Sequence, residues 1–142
     1  MKLNPYLSFN GNCDDAFKFY EKALGGKILF KMTYGEGPMQ EKMPKDIHNQ
    51  VMHIRMDIAG NILMASDTPQ CEGAGPGYQK PQGFHITLGV ETPEAAEKLF
   101  KALSEKATIT MPIQETFWAT RFGMLVDQFG IPWMVNCEKP MA

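Results

Sequence analysis

Nothing in the 142-residue chain comes near the roughly 20 consecutive apolar residues that a membrane-spanning helix needs. Basic runs are missing as well. Lys and Arg are scattered and the formal net charge is -2. That leaves no clustered positive footprint for a nucleic acid. Cysteine is scarce: Cys13, Cys71 and Cys137, an odd number at wide spacings with no CxxC. Neither a zinc site nor a redox motif is indicated, and reduced thiols are expected. The opening MKLNPYLSFN has no apolar centre and no small-residue cleavage site. A secretory signal is therefore not expected, and the expected location is the cytoplasm. No glycine-rich strand-to-helix turn of the kind that holds S-adenosylmethionine occurs, so nothing supports methyl transfer.

What is present is an ordinary core-forming composition, 44% hydrophobic and 21% charged. This length can bury a core without staples. Eleven methionines are many for the length. Met fills irregular core gaps and also adapts to varied apolar ligands, and both uses stay open.

Two helices are expected. In 14–24, Ala16, Phe17, Phe19, Tyr20, Ala23 and Leu24 mostly follow helical spacing. Asn12 or Asp14 is the candidate cap, and Gly25-Gly26 ends the helix. In 93–103, Thr92 is a good N-cap, Pro93 fits the first turn, and Glu94 suits the positive end of the dipole.

These helices align with each other. DDAFKFYEKALGG at 14–26 lies over PEAAEKLFKALSE at 93–105. Each has a short strand before it and another after it. Further on, MDIAGNILM at 56–64 lies over VDQFGIPWM at 126–134, matching Asp57-x-x-Gly60 to Asp127-x-x-Gly130. Asp then Gly between apolar runs marks a hairpin. The offset falls from 79 to 70 because the first copy carries the polar insertion GEGPMQEKMPKDIHNQ at 35–50.

The fold class is therefore α+β, two βαβββ modules in a single domain over 1–142. Module one is 1–67, a Gly/Pro-rich linker is 68–83, and module two is 84–138. One domain is preferred to two because a core of about 70 residues is marginal alone.

Alternation along strands separates two sheet faces. Phe84, Ile86, Leu88 and Val90 oppose His85, Thr87 and Gly89. Met52, Ile54, Met56 and Ile58 oppose Val51, His53, Arg55 and Asp57. The apolar faces should pack on the helices. The mixed faces are solvated, or they line a cavity in which His53, Arg55, His85 and Thr87 converge. In the second case Gly89 and Gly123 leave room between them. Trp118, Phe122 and Arg121 would suit a planar ligand by stacking and cation–π contact, or else be core and rim. Trp133 should face the helix. His48 is expected in solvent.

LSFNGNCDDAFKFYEKALGGK, ILMASD and QETFWATRFGMLVDQFGIPWMVN resemble the PhnB-like branch of the vicinal-oxygen-chelate (glyoxalase/bleomycin resistance/dioxygenase) superfamily. The W-x-x-x-x-G-M-x-x-D-x-F-G-x-x-W-M segment carries the resemblance most specifically: Trp118, Gly123, Met124, Asp127, Phe129, Gly130, Trp133 and Met134. The resemblance implies paired βαβββ modules in a U-shaped open barrel around a cavity, commonly as a homodimer. It implies no single reaction, since the superfamily includes isomerases, dioxygenases, thiol transferases and drug-binding proteins.

Catalytic members hold a divalent metal by one side chain from the first and last strand of each module. Carried over, those positions are Asn4 or Tyr6, Met64, His85 and Met134. Only His85 is an ordinary ligand for a first-row dication. No metal site of the superfamily type is expected, and no cofactor. Met64, Met134 and His85 would instead make a soft set suited to Cu(I).

The expected function is a small-molecule-binding domain with ligand contacts at Tyr6, His53, Arg55, Met64, His85, Thr87, Trp118, Arg121 and Met134. The alternative is a lyase, isomerase or transferase using His85 in the same cavity. Its partners would be a small ligand and a second copy of the chain, with no nucleic acid and no membrane.

Overall fold

The computed structural model describes residues 1–38, 40–70 and 77–140. It divides into two compact units, residues 1–79 and 80–142, each with its own sheet and helix. Part of the linker expected at 68–83, including Cys71, lies outside the described residues.

The first unit runs β1 (Tyr6–Phe9), α1 (Cys13–Ala23), β2 (Lys27–Thr33), β3 (Val51–Ile58) and β4 (Asn61–Asp67). The second runs β5 (Ile86–Gly89), α2 (Pro93–Leu103), β6 (Thr108–Gln114), β7 (Ala119–Val126) and β8 (Pro132–Glu138). Their sheets have equivalent orders, β1-β4-β3-β2 and β5-β8-β7-β6. In each, the first strand pairs parallel with the last and the other pairings are antiparallel. The repeat read from the sequence is thus a repeat of topology, and the α+β class holds.

The core of each unit lies between helix and sheet. In the first, Leu7, Phe9, Ile54, Met56, Leu63 and Ala65 are buried opposite Ala16, Phe17 and Tyr20 of α1. Phe9 meets Phe17 edge to face, ring centroids 6.4 Å apart. Gly26 lets the chain pass close to Met56, whose Sδ would stand 2.5 Å from an added Cβ. In the second unit Leu125, Trp133 and Val135 are buried on the sheet, and Ala96, Phe100 and Leu103 on α2.

The hairpins form where the Asp-x-x-Gly spacing predicts. Ile58 pairs with Asn61, so Ala59 and Gly60 make a two-residue turn, both at positive φ as a type I′ turn requires. Asp57 Oδ1 accepts from the Gly60 amide at 2.8 Å. Asp127 does more. It is buried, and accepts from the amides of Phe129 (2.8 Å) and Ile131 (3.0 Å) and from the Trp133 indole (2.7 Å).

The helix starts differ. Thr92 caps α2 as expected, accepting from the Ala95 amide at 3.1 Å. Asn12 makes no such bond at α1. The carboxylate of Asp67, from the end of β4, accepts instead from the amides of Gly11 (2.8 Å) and Cys13 (3.0 Å). Its second oxygen accepts from the Val51 amide at 2.8 Å, where β3 begins. One buried side chain therefore ties together three segments of the first unit.

The insertion at 35–50 is not a featureless loop. It holds single 3-10 turns at Tyr34–Glu36, Gln40–Lys42 and Lys45–Ile47. His48, expected in solvent, is half-buried, with Nε2 3.0 Å from the carbonyl oxygens of both Gln40 and Met43.

Candidate functional site

Residues directly opposite on adjacent strands share a sheet face. In the first unit the register aligns Tyr6, Met64, Arg55 and Phe30 across all four strands. In the second it aligns Thr87, Met134, Met124 and Met111. Both lines lie on the face turned away from the unit's helix, since the residues that alternate with them are the buried core.

On the first sheet, His53 stands two residues before Arg55 on the same face. Its ring stacks on Tyr6, centroids 5.8 Å apart and 24° between planes. The Tyr6 hydroxyl lies 3.4 Å from His53 Nδ1. Phe30 approaches the imidazole from β2 at 6.0 Å. Arg55 is exposed, and among the described residues no carboxylate pairs with it. Four expected site residues, Tyr6, His53, Arg55 and Met64, therefore share one surface, with Phe30 as a neighbour the alternation argument missed. A bulge between Ile28 and Phe30 shifts the register of β2, and strand periodicity alone does not reveal it.

On the second sheet, Thr87 Oγ1 donates to Met134 Sδ at 3.5 Å. Met124 and Met111 extend that line, and neither was singled out as a site residue. Trp118 sits with Thr116 and Phe117 in a tight turn before β7, closed by the Ala119 amide donating to Thr116 Oγ1 at 3.1 Å. Its ring meets Phe122, on the Met124 face, at 5.1 Å, and Phe117 at 4.8 Å.

Of the two readings open for Arg121 the structure shows the rim ion pair, and the room expected at Gly123 is not there. Arg121 turns to the helix side, where its Nε donates to Glu97 of α2 at 2.9 Å and Nη1 to the Thr120 carbonyl at 2.7 Å. Its pairing with Cys137 is in register with that of Gly123 and Leu125, the helix-side residues it alternates with, so strand alternation gives this facing. Gly123 opens no room on the outer face. It lies under α2, where an added Cβ would stand 2.7 Å from Phe100 Cε2 and 3.0 Å from Ile113 Cα. Gly89 does face open space. It borders a shallow cleft of ≈ 370 Å³ with Val90, Glu91, Asn136 and Glu138. Asn136 Oδ1 is buried there with no hydrogen-bond partner among the described residues.

His85 is exposed and precedes the first paired residue of β5. The residue opposite Met134 is Thr87, as the residue opposite Met64 is Tyr6. The positions that the resemblance assigns to metal ligands thus hold the Asn4 amide or Tyr6 phenol with the Met64 thioether in one unit, and the exposed His85 imidazole with the Met134 thioether in the other. One imidazole among thioethers and a neutral oxygen donor is too few ordinary ligands to hold a first-row dication. Among the described residues no group of three or more His, Cys, Asp or Glu is placed to hold an ion.

Titration behaviour marks structure rather than chemistry. Burial, and then the negative charge of Asp67, push the Cys13 thiol far above the ordinary thiol range. A thiol kept neutral in this way is a poor nucleophile. The Lys31 ammonium, at 2.7 Å, holds the Asp14 carboxyl below its ordinary value, with Lys18 adding to it at 2.9 Å.

A family model described as the Glyoxalase/Bleomycin resistance protein/Dioxygenase superfamily matches residues 2–135. Protein YjdN of Escherichia coli (strain K12) is 37% identical over 147 residues, covering 98% of this chain and 97% of that protein. The crystal structure of protein PA1353 from Pseudomonas aeruginosa is 41% identical, covers 99% of each chain and superposes with a TM-score of 0.85. A Bacillus cereus structure that carries both the PhnB name and a 3-demethylubiquinone-9 3-methyltransferase name is 23% identical, with a TM-score of 0.76 over 96% of this chain and 99% of that one. At that identity the likeness is one of fold. No helix among the described residues is long and apolar enough to cross a membrane. With a duplicated βαβββ unit and a match that runs nearly end to end, the chain belongs to the Glyoxalase/Bleomycin resistance protein/Dioxygenase superfamily.

Proposed function

We propose that this chain is a metal-independent small-molecule-binding member of its superfamily, with ligand contacts on the outer faces of its sheets. The observation that carries the reading is the pair of aligned rows. Tyr6, Met64, Arg55 and Phe30 line up on one sheet, and Thr87, Met134, Met124 and Met111 on the other. Rings and thioethers supply adaptable apolar surface, and a few hydrogen-bonding groups among them give orientation. The same rows hold no carboxylate, and His85 is the one imidazole at the positions that the resemblance assigns to metal ligands, so the donor set that a Lewis-acid mechanism would need is incomplete.

Homodimerisation and a cytoplasmic location belong to the same proposal. The oligomeric state is checked by light scattering of purified protein.

The test is a thermal-shift screen of chemically diverse small molecules, followed by titration of the hits on Trp118 fluorescence. Each titration is run with EDTA and with added nickel, zinc, manganese or iron. Saturable binding that is indifferent to metal is expected. Stoichiometric divalent metal in the purified protein, with strong stabilisation by it, overturns the metal-independent reading. A screen in which no chemical class binds overturns the binding reading.

A further inference from the structure

The two outer faces have diverged in a way that selects a ligand class. At the position where the second sheet carries Met124, the first carries Arg55. That guanidinium is exposed, and among the described residues none of the ion pairs involves it. The arginine of the second unit's β7, in contrast, is paired with Glu97. On the same face as Arg55 stand three rings: Phe30 directly opposite it, His53 two residues before it and Tyr6 beyond Met64, the last two stacked 5.8 Å apart. The nearest acid along the same face of β3 is Asp57, and its Oδ1 already accepts from Gly60.

Resting on the small-molecule reading above, we infer that this face takes a small aromatic anion, a flat ring bearing a carboxylate. The charged group meets the arginine fork, which matches a carboxylate in two-pronged fashion. The flat ring lies against Phe30 and the Tyr6–His53 pair, where aromatic contact adds to area burial. The Tyr6 hydroxyl is placed to hydrogen-bond either the imidazole or the ligand. A neutral ring lacks the first contact, and a small aliphatic anion lacks the second.

The experiment uses three probes on the full chain: benzoate, benzamide and acetate. Binding is followed by heteronuclear NMR, with the His53 ring proton and the β3 amides as reporters. Benzoate is expected to saturate, with shifts centred on Tyr6, Phe30, His53 and Arg55. Benzamide and acetate are each expected to bind about tenfold more weakly or worse, the loss of one charge-assisted hydrogen bond or of one aromatic contact. Arg55→Met copies the residue at the matching place in the second sheet, so the fold should accept it. It should reduce benzoate to the affinity of benzamide. Arg55→Lys, with charge but no fork, should fall between, and it serves if the methionine variant fails to fold.

Benzamide binding as tightly as benzoate removes the anion and leaves the small-molecule reading intact. So does benzoate binding that Arg55→Met does not change. Absence of saturable benzoate binding removes this inference alone. The broader reading falls only with a screen that finds no binder of any class.

Discussion

Replacing Asp67 measures how much of the first unit depends on one carboxylate. The side chain is buried and accepts three backbone N–H bonds, from Gly11, Cys13 and Val51. Asp67→Asn keeps one oxygen acceptor and turns the other into a donor facing an N–H. The variant loses a bond to a charged group and leaves a buried amide unsatisfied, at about 1–3 kcal/mol for each effect. A total near 3 kcal/mol is therefore expected. An unfolding entropy of about 2.1 cal/mol/K per residue, summed over the 142 residues, is about 0.3 kcal/mol/K, so the midpoint should drop by about 10 °C. Asp57→Asn is the control, because its single bond to Gly60 is at an exposed turn and should cost no more than about 1 kcal/mol. Scanning calorimetry and urea titration of the two variants beside the parent give both numbers. If Asp67→Asn melts within about 3 °C of the parent, on the same entropy scale, the carboxylate does not hold the three segments together.

Gly123→Ala should destabilise by about 1–3 kcal/mol through overpacking against Phe100 and Ile113, while Gly89→Ala, which meets open space, should be neutral in the same urea titration. Asp14 has a folded carboxyl pKa below its unfolded value, so its contribution to stability is present above the unfolded pKa and is lost as pH falls through the folded one. Asp14→Asn should therefore flatten the acid limb of the stability–pH curve, and the effect should shrink in high salt because the pair is partly exposed. Cys13, fully buried and held neutral, should resist alkylation at pH 8 in the folded protein and react at once in denaturant, as followed by mass spectrometry. Rapid labelling of the native chain would contradict that burial.

The sequence made the repeat legible because it is written in local signals. Apolar spacing, a Thr92 cap and two Asp-x-x-Gly turns each act within a few residues, and each appears in the structure where expected. Helix-side facing of Trp133 followed from simple alternation. What was not legible depends on register and on distant partners. The start of α1 finds its acceptor 54 residues away, and no local cap search reaches Asp67. Phe30 takes its facing from a strand irregularity, and a one-residue slip reverses a side chain. For the same reason, only the pairing of β5 with β8 identifies Thr87, rather than His85, as the neighbour of Met134.

The two helices also differ in when they can be completed as the chain leaves the ribosome. Thr92 is made just before α2, so that helix carries its own starting bond from the outset. The amides at the head of α1 wait for residue 67, with two more strands synthesised in between. Both sheets close only when their last strand emerges, but the second unit can start its helix from its own cap, and the first cannot complete its helix start until that moment.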